Sequence, residues 1–224
     1  MNKYLFPIYA VILGFLIVKL SKNKPVQNIK LLLAFSGAFL MSLTFFDLLP
    51  EVYEHLETKQ TGLFIMLGVL LQIFLEFFSR GAEHGHVHIK KNSNVFPWLL
   101  FISLCLHAFL EGFPIHQHND MVYGVLIHKI PIAILITSYL FESGFKSVQI
   151  GLFLVTFSLM TPLGTIISNN VEGVHGILDY INAVVIGIFL HIATTILFES
   201  SEGHKFNLGK ILVLIFAVAI AYFM

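Results

Sequence analysis

The residues with chemistry to offer are two imidazoles and a carboxylate set inside apolar sequence: His107 and Glu111 in S-L-C-L-H-A-F-L-E-G, and His128 in V-L-I-H-K-I-P. Ionisable side chains are costly within a membrane-buried helix and by default mark a functional site. At 100° per residue His107 and Glu111 lie about 40° apart on successive turns, so both reach one point beside their helix. If the chain runs back antiparallel after a turn near Gln117, His128 returns to about the depth of His107. Two imidazoles and one carboxylate then form a three-ligand set for a divalent transition metal, with Zn²⁺ served best, Fe²⁺ next and hard cations poorly. The same three side chains could instead simply hydrogen-bond to one another in a helix bundle. Cys105 lies about 200° around the helix from His107 and reads as packing.

The elements that must position these residues are membrane helices. Hydrophobic residues make up 57% of the 224 and charged residues 12%, and the mean hydropathy is +0.85, values foreign to a water-soluble domain. With zero formal net charge and no basic tract, nucleic acid is excluded as a partner. One cysteine allows no intrachain disulfide. The first apolar segment leaves through K-L-S-K-N-K-P with no small-residue cleavage site, which predicts a retained helix. We expect an all-α integral membrane protein in a single domain, 1–224, with eight transmembrane helices over roughly 4–20, 28–50, 61–80, 95–114, 121–142, 147–168, 176–198 and 208–224. Ten basic residues flank connections one, three, five and seven: Lys19, Lys22, Lys24, Lys30, Arg80, Lys90, Lys91, Lys146, Lys205 and Lys210. Only Lys3 and Lys59 lie on the other side, with Lys129 inside a span. The positive-inside rule then puts both termini outside.

Further polar residues line up with such a frame. Asp47 lies in the end of span two, and Glu51 follows a turn later; both can lead a cation inward, although helix-end carboxylates are often just solvated. Gln72, Glu76 and Arg80 recur every four residues on span three, where Glu76 and Arg80 can neutralise each other. The cytoplasmic loop 81–94 carries His84, His86 and His88 in alternation, a pattern that binds metals loosely or is merely a solvated loop. His116 and His118 sit in the outer turn above the proposed site. His191 lies on span seven beside Thr194 and Thr195, where it could belong to an exit path. Pro131 removes a backbone donor beside His128 and should kink span five.

Taken together, the span-two ending F-x-D-L-L-P-E, the span-four H-x-x-x-E-G, the span-five H-K-I-P, the span-six T-P-L-G and the span-seven G-I-F-L-H resemble the ZIP (Zrt- and Irt-like) divalent metal transporters. The resemblance implies a 3+2+3 inverted-repeat bundle with the transport site on spans four and five, and His107, Glu111 and His128 match its first-site metal ligands. Three positions depart from the family pattern. Ala108 stands for the usual asparagine, Ile132 for a glutamate, and Lys129 for a residue that is acidic in two-metal members. One metal is therefore expected. The function so implied is movement of a divalent transition metal, zinc first and iron next, towards the cytoplasm by a non-enzymatic protein of the cell membrane, the inner membrane if bacterial. Its partners are the metal ion, the lipid bilayer and, as an option, a second copy in a homodimer. Two other classes stay open: a non-transporting membrane metal-binding or sensing protein, and an intramembrane zinc-dependent hydrolase, which would need a general base beyond Ile132, Leu135 and Tyr139 on the face continuing from His128.

Overall fold

Away from water a backbone must bond its own N–H and C=O groups, and this chain does so in helices. The computed structural model describes residues 3–21, 26, 28–79, 96–115, 120–199 and 208–224. After a 3₁₀ turn at Lys3–Leu5 come α1 (Phe6–Leu20), α2 (Ile29–Leu43), α3 (Leu49–His55), α4 (Thr58–Ser79), α5 (Trp98–Leu110), α6 (Met121–Glu142), α7 (Ser147–Asn170), the short α8 (Glu172–His175), α9 (Leu178–Glu199) and α10 (Leu208–Tyr222). A π-helical turn, Thr44–Leu48, joins α2 to α3, so Ile29–His55 is one apolar helix of 27 residues. Five helices are long and apolar enough to cross a membrane, and three shorter apolar ones, α1, α5 and α10, complete eight segments among the described residues. No strand occurs among those residues.

The exterior of the bundle is apolar, around a core that is apolar too but also holds polar side chains. On α4, Leu63, Met66, Leu70, Phe74 and Phe77 face outward, while Thr61 and Gln72 are buried. Apolar side chains outside and polar ones inside suit a lipid surround, where the exterior has no water to satisfy.

The helices pair in a regular way. α1 packs along α6 and α5 along α7; α4 packs along α9 and α10 along α2. Small residues allow the closest of these contacts. A Cβ on Gly14 of α1 would lie 2.6 Å from the Cβ of Ala133 on α6. One on Gly68 of α4 would lie 1.9 Å from the Val184 carbonyl oxygen, and one on Gly187 of α9 would lie 2.0 Å from that of Ile65. Between α5 and α7 the same close approach occurs at Gly112, 2.2 Å from the Thr161 carbonyl oxygen, and at Gly164, 2.1 Å from that of Phe109. Backbone carbonyls cannot yield as flexible side chains do, so Gly164→Val should push α7 away from α5. We expect it to lower the thermal midpoint of the detergent-solubilised protein clearly below that of Gly151→Val, whose site has open space around it.

α6 spans the residues expected of span five, but α5 is shorter than the expected 95–114. It stops at Leu110, and residues 111–115 form turns. The physical reason is local: Gly112 must come against α7, and Pro114 cannot continue a helix because it lacks an amide hydrogen. The carbonyls released there are met by α7, with Thr165 Oγ1 donating to the Gly112 oxygen at 2.8 Å and Ser168 Oγ to that of Phe113 at 3.1 Å.

Candidate functional site

The site lies where the end of α5 meets α6 and α7. Glu111 is the residue just past α5, its amide donating to the His107 carbonyl at 3.0 Å, so the i,i+4 relation of the pair survives the end of the helix. His107 Nε2 stands 3.5 Å from Glu111 Oε2. Opposite, α6 carries His128, whose ring meets that of His107 at a centroid distance of 6.1 Å and an interplanar angle of 77°. Pro131 remains inside α6, where it supplies no amide to the Ile127 carbonyl beside His128. His107, Glu111 and His128 are at most 3% exposed.

Two further residues join them. Lys129, 1% exposed, makes an ion pair with Glu111 Oε1, and its ammonium donates to Thr161 Oγ1 of α7 at 2.7 Å. The Thr161 hydroxyl in turn donates to Glu111 Oε1 at 2.6 Å. The Lys129 ammonium also stands 4.5 Å from the centre of the Phe157 ring, within cation–π range. A buried carboxylate and a buried ammonium are thus paired and hydrogen-bonded, as their burial requires. With Glu111 turned to Lys129, the described residues contain no ready-made group of three His, Cys, Asp or Glu side chains for a metal ion.

The sequence presents Lys129 only as an obstacle to a second metal and Thr161 only as the first residue of T-P-L-G. Their partnership with Glu111 was missed. The signal was available, because an ammonium in the middle of an apolar helix needs a counter-ion and Glu111 is an anion one helix away.

The other expected residues are dispersed. Asp47 lies in the π-helical turn, which Pro50 favours by withholding a helical amide from the Phe46 carbonyl. Together with Asp120, at the start of α6, and with Phe46 and Tyr222, Asp47 lines a cavity of about 390 Å³. Glu51 is half-buried one turn further along α3, and Glu54 is exposed. His191 on α9 bonds through Nε2 to Glu76 Oε2 on α4 at 2.6 Å, a pairing across two helices. His84, His86, His88, His116, His118 and Arg80 lie outside the described residues.

Sequence comparison supplies the context for this geometry. The profile of the ZIP zinc transporter family matches residues 79–224. The chain belongs to that family. It is similar to a zinc transporter ZIP1 of Danio rerio, at 29% identity over 89 residues, which is 37% of this chain and 30% of that protein. It is also similar to protein zntD of Dictyostelium discoideum, at 26% over 150 residues, covering 57% of this chain and 22% of that one. A zinc transporter ZIP1 of Takifugu rubripes is 27% identical over 96 residues, 40% of this chain and 32% of that protein. The matched stretches thus span between 22 and 32% of the relatives' own length. The matched region of the ZIP profile contains His107, Glu111, His128, Lys129 and His191.

Proposed function

We propose that this ZIP-family chain carries a divalent transition metal, zinc before iron, across a membrane towards the cytoplasm through a single site made by His107, Glu111 and His128. The observation that supports it most is the 3.5 Å between His107 Nε2 and Glu111 Oε2. Tetrahedral zinc with ligands at about 2.0–2.2 Å holds neighbouring donor atoms roughly 3.4 Å apart. His128, whose ring centre lies 6.1 Å from that of His107, is the third donor of this reading, with water or a transient fourth ligand completing the shell. The names of the relatives, two zinc transporters among them, favour zinc as the cargo.

The route runs from Asp47, Glu51, His116 and His118 on the outside, through the central site, towards His191, with His84, His86 and His88 receiving the ion in the cytoplasm. The helix pairs are consistent with an inverted repeat of spans one to three and six to eight around spans four and five. The contact of span one with span five has its counterpart in span six with span four, and that of span three with span seven in span eight with span two. Direction rests on the basic residues, ten against two. Single cysteines introduced at Gln60 or Asn119 should label with an impermeant maleimide on intact cells, and ones at Asn92 or Ser143 only after permeabilisation. The reverse pattern would turn the direction of transport around.

Flux is tested in proteoliposomes containing a metal-sensitive dye and given Zn²⁺, Fe²⁺, Mn²⁺ and Cd²⁺ in parallel, with the purified protein analysed for bound metal. We expect zinc uptake and one tightly held ion in the core. Tight binding without uptake would instead mean a membrane metal-binding protein, a reading that the hold of Lys129 on Glu111 favours.

A further inference from the structure

Lys129 sits in a complete cation cage. One carboxylate oxygen of Glu111, the Thr161 hydroxyl and the Phe157 ring surround its ammonium, and Thr161 is itself fixed by donating to the same carboxylate oxygen. The cage draws on three separate elements: Glu111 at the end of α5, Lys129 on α6, and Thr161 and Phe157 on α7. Every member except the ring is a group that an incoming ion would also seek. Glu111 is consequently divided, with Oε1 held by Lys129 and Thr161 and Oε2 directed at His107.

We propose that the Lys129 ammonium is a tethered competitor for the cargo ion, and that by holding one oxygen of Glu111 it sets the affinity and selectivity of the metal site. This inference rests on the His107/Glu111/His128 reading above. Its physical basis is twofold. A divalent ion bound to Glu111 must share that carboxylate with an ammonium only a few ångströms away, and like charges at such range repel strongly where water is excluded. In addition, the ammonium cancels the only anionic ligand of the set. An ion that gains much from imidazole nitrogen, such as Zn²⁺, keeps most of its binding, whereas an ion that depends on carboxylate oxygen, such as Mn²⁺, loses more. Lys129 is in these terms a specificity-determining residue that is not itself a ligand. It also keeps the empty site electrically satisfied, so that the site does not have to be filled for the bundle to be stable.

The test is a titration of the full chain in detergent micelles with Zn²⁺ and Mn²⁺, each against a chromogenic chelator, for wild type, Lys129→Met, Thr161→Val and His107→Ala. Lys129→Met keeps the volume of the stem and removes the charge. We expect it to bind Zn²⁺ at least about tenfold more tightly than wild type and to gain still more for Mn²⁺. Thr161→Val, which loosens the ammonium without removing it, should fall between the two. Zinc affinity that is unchanged or weaker in Lys129→Met, while His107→Ala still loses binding, overturns the competitor role and leaves the site standing. Intact zinc binding in His107→Ala overturns both. A second measurement guards against a variant that folds poorly. In Lys129→Ala the emptied cage should admit methylammonium at millimolar concentration, which should raise the thermal midpoint of that variant and weaken its zinc binding back towards the wild-type value. If methylammonium acts equally on wild type and Lys129→Ala, or on neither, there is no cage.

Discussion

His107→Ala and His128→Ala should each weaken zinc binding by at least about 100-fold, above the 10–100-fold that loss of an outer partner of a metal ligand costs. Each leaves one imidazole and a carboxylate already engaged with Lys129, too few donors to replace the hydration of the ion. Glu111→Gln should act in the same direction for a different reason, because the amide keeps an oxygen but removes the only negative charge among the proposed ligands. Calorimetric titration of the purified protein reads all three. The wild type should also lose affinity as pH falls below about 6, since only neutral imidazole binds metal and its ordinary pKa is about 6.5. The sign follows from proton release: binding that displaces protons is disfavoured as their concentration rises. Unchanged affinity in all three variants would put the zinc site elsewhere, with His191 and Glu76 the next place to look.

The second large effect is on stability. Glu111→Leu removes the carboxylate but leaves the Lys129 ammonium, 1% exposed, buried without its counter-ion. Breaking a buried pair from one side costs about 3–5 kcal/mol, whereas replacing both partners by apolar groups of similar volume is often neutral or stabilising. The thermal midpoint of the metal-free protein should therefore fall sharply in Glu111→Leu and fall also in Lys129→Met. In the double variant Glu111→Leu, Lys129→Met it should recover most of the loss. A double variant as unstable as the sum of the single ones would mean that the two side chains stabilise the bundle independently, and that their contact contributes little.

Most of the helical frame was legible because its signal is long and uniform. Apolar runs bounded by polar connections gave the limits of α6 to the residue, and those of α4, α7 and α9 to within about three. α5 is shorter than its apolarity predicts: the apolar run continues through Phe113 to Ile115, and nothing local reveals that Gly112 must meet the Thr161 carbonyl of a helix about fifty residues away. Its end is a tertiary event. The same distinction divides the site. The spacing of His107 and Glu111 is a property of one helix and can be counted off the sequence, but the partner of Glu111 depends on which way α6 and α7 are turned. Lys129 and Thr161 reach it from positions 18 and 50 residues further along the chain. Likewise the pair Glu76–His191 crosses 115 residues.

The early stop of α5 carries an electrostatic consequence. Its 13 residues make a helix about 20 Å long, well short of the roughly 30 Å hydrocarbon core, and residues 111–115 that follow it are buried, so its C-terminus falls inside the bundle. The aligned peptide dipoles of a helix leave about half a negative charge at that end, and in a dry surround it is little screened. Its last carbonyls lie beside His107 and Glu111. The cation at this spot, whether the Lys129 ammonium or a metal ion, is thus attracted by the backbone as well as by a carboxylate. Substituting Glu111 removes the formal charge but leaves this field in place. Part of the pull on a cation therefore belongs to the position at which the helix ends.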